Sequence, residues 1–177
     1  MFLPGILTSD DKASLLLVSL AVGLAAGIFE ELGWTGIAVP ELRLRHGVLA
    51  TGLIVGVLWG AWHLLTNVFW ATRASAGELS LSVFLPASVF GVLVGYLPAF
   101  RVLTVWVYDR TGSLLVAILM HVGLTASLLI LNPLAISGVA LLTYSFTLAA
   151  AVWIVVAAVV VANGGQLTRQ PLRTRVA

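Results

Sequence analysis

Glu30, Glu31, His63 and His121 are ionisable side chains set inside otherwise apolar stretches of this chain. A charge at the centre of a bilayer costs at least about 2.5–3.5 kcal/mol, so such residues face a bundle interior and mark a functional site by default. Two carboxylates and two imidazoles from three helices can hold a water and move protons. They can also offer N and O ligands to a divalent metal such as zinc, with Glu30, His63 and His121 as candidates. No nucleophile arrangement competes. The chain has no cysteine, and Ser127, six residues past His121, is the nearest serine to either histidine.

Each of the four has a plainer reading beside the chemical one. Glu30 and Glu31 are neighbours and point about 100° apart on a helix, so they share one target only if the helix unwinds or the site wraps around it. Close carboxylates resist ionising together, which suits one of them to general acid or base work. Alternatively the pair reaches the headgroups and meets Arg43 or Arg45. His63 has Trp59 four residues before it and Asn67 four after, all on one face. Its plainer reading is a bond to a neighbouring helix carbonyl, with Trp59 and Trp62 in an interfacial belt. His121 aligns with Thr125 one turn on, although membrane threonines commonly bond their own i−4 carbonyl.

The elements that position these residues are transmembrane helices. Hydrophobic residues make up 60% of the 177 and charged residues 9%. A soluble domain carries about 25% charged residues, so there are too few here to coat a water-facing surface. Mean hydropathy is +1.11. From Thr111 to Thr168 there is no Asp, Glu, Lys or Arg, which is length enough for two crossings of about 20 residues each. The pattern predicts an all-α polytopic bundle of about five spans with its active site in the interior. The spans run over Ser9–Val39, Gly47–Ala71, Leu79–Tyr108, Ser113–Leu131 and Ser137–Ala162. Thr8 or Ser9 can cap the first, Pro40 follows its end, and Pro98 should kink or divide the third. At about 1.5 Å per residue these bounds set Glu30 and His63 at different depths, so helix tilt must bring them together. Gly23, Gly27 and Gly33, and Gly52, Gly56 and Gly60, suit close helix packing.

The pI near 9.5 does not point to nucleic acid, because the few cations flank hydrophobic runs. Arg43, Arg45, Arg101, Arg110, Arg169, Arg173 and Arg175 fall on one side and Lys12 and Arg73 on the other. That places the N-terminus outside and the C-terminus in the cytoplasm. Met1–Lys12 holds Asp10 and Asp11 and no basic region, unlike a cleaved signal peptide. The chain reads as a single membrane domain over 1–177 with a basic cytoplasmic tail at 163–177.

In this order, Glu30-Glu31-Leu-Gly-Trp34, Trp59-x-x-x-His63 and His121-x-x-x-Thr125 resemble the three motifs of the CPBP family of intramembrane proteases. This is the family of the type II CAAX prenyl endopeptidase and of bacterial Abi-type proteins. Its motifs read Glu-Glu-x-x-x-Arg, aromatic-x-x-x-His and His-x-x-x-Asn. Trp106-Val-Tyr-Asp-Arg-Thr-Gly-Ser-Leu-Leu115 also looks like the family's approach to its last histidine. The resemblance covers 27–125. It implies an endopeptidase of a bacterial or archaeal cell membrane, acting on a membrane-associated protein or peptide, with CAAX-type prenylated proteins as the best-known case. By position, Glu30 and His63 would activate a water, His121 and Thr125 would stabilise the oxyanion, and Glu31 would orient the pair. Trp59, Asn67 and Arg101 would support them. The family is often described as metallopeptidases, so a zinc ion is a possible cofactor.

Two positions depart from the motifs: the Arg is Thr35 here and the Asn is Thr125. Arg101, the one basic residue within an apolar segment, is expected to supply the missing charge. A separation beyond about 8 Å from both glutamates would contradict this. Thr125 still donates a hydrogen bond, with shorter reach than Asn. Family members usually carry further helices before the Glu-Glu motif, so a minimal member or part of a larger bundle is expected. A non-catalytic Abi-type immunity or scaffold protein is the alternative function. A proton-coupled transporter would call for an internal helix repeat, and none is visible.

Overall fold

In the computed structural model, residues 3–70, 76–132 and 136–169 are described, with 64–70 and 92–94 given by their backbone alone. Among the described residues the structure is helical and without strands. A short helix α1 (Gly5–Thr8) precedes α2 (Lys12–Gly33). The cap of α2 is Asp11, whose carboxylate accepts the Ser14 N–H at 2.9 Å. Thr8, a cap candidate from sequence, donates its hydroxyl to the Gly5 carbonyl instead.

A wide π turn, Trp34–Ala38, follows α2 and leads into α3 (Val39–Leu42). The helix therefore continues past Pro40 rather than ending before it. Proline lacks an N–H but fits the first turn of a helix, which is where Pro40 sits in α3. The wide turn before it lets the Val39 N–H reach the Trp34 carbonyl.

Next come α4 (Val48–Trp70), α5 (Leu81–Phe90), a second π segment (Gly91–Tyr96), α6 (Leu97–Thr111), α7 (Leu114–Leu131) and α8 (Gly138–Ala162). The third span divides as its proline predicts. The break itself is at Gly95 (φ −77°, ψ −120°), and Pro98 lies in the first turn of α6. The Gly95 carbonyl accepts the Trp153 indole N–H of α8 at 3.1 Å. Non-helical backbone at membrane depth needs such an internal partner. Lys12–Leu42, Leu114–Leu131 and Gly138–Ala162 are long and apolar enough to cross a membrane, with shorter apolar helices at Val48–His63 and Leu81–Phe90. Large apolar side chains such as Leu17, Phe29, Ile37 and Val161 face outward, so the chain is an integral membrane protein.

Two tight helix pairs make the frame: α2 lies along α7, and α4 along α6. Glycines set both contacts. A Cβ on Gly27 would come 2.9 Å from Val122 Cγ2 and 3.1 Å from the Ile118 carbonyl. A Cβ on Gly52 would lie 2.6 Å from Val102 Cα, and one on Gly56 would lie 2.5 Å from Pro98 Cα. Small residues let backbones approach this closely in membrane bundles. Gly33 has nothing within 4 Å of its Cβ position, so it takes no part in this packing.

One end of the bundle is closed by polar contacts. Arg43 Nη2 and Nε lie 2.6 and 3.2 Å from Asp109 Oδ1, and Asp109 Oδ2 accepts the Arg169 N–H at 2.9 Å. Arg110 donates to the Leu167 carbonyl and to Asn163 Oδ1. Thr168 Oγ1 accepts the Val48 N–H at 3.0 Å, and Leu167 joins the buried core. Residues 163–169 are thus folded onto the bundle end. Arg173 and Arg175 of the expected tail, and Arg73, lie outside the described residues. Arg101, counted above on the cytoplasmic side but within an apolar segment, is buried in α6.

Candidate active site

Glu31 is the hub of a buried cluster. It is 1% exposed, Arg101 0% and His121 2%. Arg101 Nη1 lies 2.8 Å from each Glu31 oxygen. His121 Nδ1 lies 2.7 Å from Oε1, and the Thr35 hydroxyl donates to Oε2. Arg101 is therefore in ion-pair contact with Glu31, well inside the expected limit. Thr35, at the position of the motif Arg, serves as a second donor to the same carboxylate from one turn on. The glycine contacts explain why these groups meet: Gly27 seats α2 against α7 below His121, and Gly56 seats α4 against α6 beside Arg101, whose Cβ would be 3.2 Å from a Gly56 Cβ.

Glu30 points elsewhere, as neighbours on a helix must. Its Oε2 accepts the Trp59 indole N–H at 2.6 Å. The site wraps around α2: Glu31 meets α6 and α7, and Glu30 meets α4. Trp59 joins the two halves. Its ring makes T-shaped contacts with both His63 and His121, with centroids 5.1 Å away in each case. Arg101 Cζ lies 4.2 Å from the Trp59 ring centroid. The sequence reading offered an interfacial belt for Trp59, but the side chain is 1% exposed.

Nδ1 of each histidine has a partner. His63 Nδ1 lies 2.9 Å from the Trp59 carbonyl, one turn back on its own helix. A carbonyl only accepts, so Nδ1 carries the hydrogen and Nε2 of the neutral ring is a proton acceptor. His121 Nδ1 donates to the Glu31 carboxylate in the same way. Thr104, Thr111, Thr143 and Thr147 all donate to their own i−4 carbonyls. Thr125 makes no such bond among the described residues, which leaves its hydroxyl available one turn from His121. The Asn67 side chain lies outside the described residues. Arg43 pairs with Asp109, not with the glutamates.

Of the candidate metal ligands, Glu30 accepts from the Trp59 indole, His63 Nδ1 meets the Trp59 carbonyl and His121 Nδ1 meets Glu31. Among the described residues no three His, Asp or Glu side chains are grouped to hold an ion. Glu31, the most buried carboxylate, already faces the Arg101 cation, and a second cation there would be repelled. Two features were missed from sequence. The Trp59 N–H on Glu30 crosses between helices and leaves no local pattern. Thr35 as a donor to Glu31 follows the i,i+4 rule and was legible, but a motif that expects Arg there hides it.

A buried carboxylate–histidine pair beside a second carboxylate and a second histidine is the chemistry of proton transfer to and from water. The family model of the type II CAAX prenyl endopeptidase, Rce1-like, matches residues 12–127, and the chain belongs to that family. Over 40 residues it is 40% identical to a protein named CAAX prenyl protease 2 from Methanococcus maripaludis, a match covering 23% of this chain and 15% of that protein. No solved structure matches.

Proposed function

We propose that this chain is an intramembrane endopeptidase that hydrolyses a peptide bond of a membrane-associated substrate. The observation that carries the reading is the convergence of Glu30, His63, His121 and Arg101 on one buried tryptophan, with Glu31 joining His121 to Arg101. Glu30 and the Nε2 of His63 take a proton from water as it attacks the carbonyl carbon. The tetrahedral oxyanion receives hydrogen bonds from Thr125 and from His121 Nε2 when that ring carries both protons. Glu31 compensates the His121 charge and fixes its ring, while Arg101 and Thr35 fix Glu31. The proton held by the base passes to the leaving amine, the C–N bond breaks, and a carboxylate and an amine are released. Every step uses the chain's own side chains. Prenylated CAAX proteins are the substrate class the family name suggests, and the end of the bundle that gathers Arg43, Arg110 and Arg169 is the proposed cytoplasmic end.

The test is cleavage of membrane-anchored peptides by the purified protein in liposomes, run in ¹⁸O-labelled water. A product carboxylate carrying the label, with farnesylated peptides cut in preference to bare ones, is expected. Intact peptides of both kinds after prolonged incubation would overturn the reading.

A further inference from the structure

Trp59 touches more of the site than any group assigned a chemical step. Its indole N–H donates to Glu30, its carbonyl accepts from His63 Nδ1, its ring makes T-shaped contacts with both histidines, and its face lies under Arg101. Among the described residues Arg101 Nε and Nη2 are buried without a hydrogen-bond partner. The indole face supplies the cation–π contact that offsets this. Tryptophan is also the one aromatic side chain that offers both a large face and an N–H donor. Phenylalanine has no donor, and the tyrosine hydroxyl projects along the ring axis. The 2.6 Å bond is short and charge-assisted, the kind that holds a carboxylate in one orientation.

We propose that Trp59 is the positioning residue of the site: it fixes the Glu30 carboxylate through its N–H and the His63 tautomer through its carbonyl, so that both present acceptors to one water. This rests on the reading of Glu30 and His63 as the water-activating pair. The requirement is narrower than an aromatic four residues before the histidine, since it asks for the indole nitrogen itself.

The experiment uses the full chain in lipid nanodiscs with ¹⁵N-labelled tryptophan indoles. The Trp59 resonance is the one lost in Trp59→Phe. It is expected to shift in Glu30→Gln, where the charged acceptor becomes neutral, and an unmoved resonance would overturn the proposal. On cleavage, Trp59→Phe keeps the ring and the carbonyl but loses the donor. Its kcat is expected to fall about 10- to 100-fold, the scale of a misplaced catalytic group, with KM near the wild-type value and the acid limb of the pH profile displaced. Wild-type kcat and pH profile in a folded Trp59→Phe protein would also overturn it. A wild-type protein that cuts no peptide would defeat the proposed function instead, and the indole resonance would still decide whether Trp59 holds Glu30.

Discussion

At the residue scale the cluster turns on one relocated charge. The motif Arg would sit one turn after Glu31; here that place holds Thr35 and the cation comes from Arg101 on α6, 2.8 Å from the carboxylate. Removing one partner of a buried ion pair leaves an uncompensated charge and costs about 3–5 kcal/mol. Arg101→Leu is therefore expected to lower stability by that order in chemical denaturation. Thr35→Arg in the same chain should recover a measurable part of the loss, and a double variant no better than the single would show that the two positions are not exchangeable. Thr125 carries the second departure. Thr125→Val keeps the shape and removes the hydroxyl, and kcat is expected to fall about 10²–10³-fold, as for loss of one oxyanion donor. Thr125→Asn should retain activity. The sequence made the ionisable residues legible because their chemistry is costly in lipid. It did not show which glutamate faces which partner, because two neighbours on a helix diverge and only the packing of α4, α6 and α7 around α2 decides.

At the element scale glycine determines how close the helices come. Gly56 admits no Cβ, since one would lie 2.5 Å from Pro98 Cα, whereas Gly33 has open space. Gly56→Ala is expected to destabilise the bundle by about 1–3 kcal/mol through overpacking, and Gly33→Ala to be near neutral by the same thermal melt. Equal effects would show that the α4–α6 contact does not depend on Gly56. The glycine stripes were visible in the sequence, yet spacing alone could not say that Gly33 stands outside the packing. The helix bounds were legible to within a few residues, except at the two prolines. Pro40 read as a stop and Pro98 as a kink or division; the division occurs, at Gly95, and both prolines lie in a helix first turn after a π segment. The preceding wide turn depends on long-range partners such as Trp153 on the Gly95 carbonyl, and these have no local signature.

At the scale of the whole molecule, the two glycine-tight pairs meet across the site. Glu30 and Glu31 come from one pair, and Trp59 and Arg101 from the other. The polar closure at the far end ties the same elements together through Arg43, Asp109 and Arg110, and residues 163–169 lie over it. Asp109→Ala removes the acceptor shared by Arg43 and the Arg169 N–H. It is expected to free that segment, read as faster amide exchange over 163–169 with little change in α7. Unchanged exchange there would mean that Leu167, Thr168 and the Arg110 bonds hold the segment without Asp109. This closure was not legible, because Asp109 and Arg43 are 66 positions apart and no local pattern links them.

The most direct measurement is cleavage of a membrane-anchored peptide in liposomes by wild type, Glu30→Gln and His63→Ala, each checked by its thermal melt to be folded. The water-activating assignment predicts product from wild type and a loss in each variant of about 10²–10⁴-fold, the contribution of a general base. Folded variants that both cleave at close to the wild-type rate would contradict it.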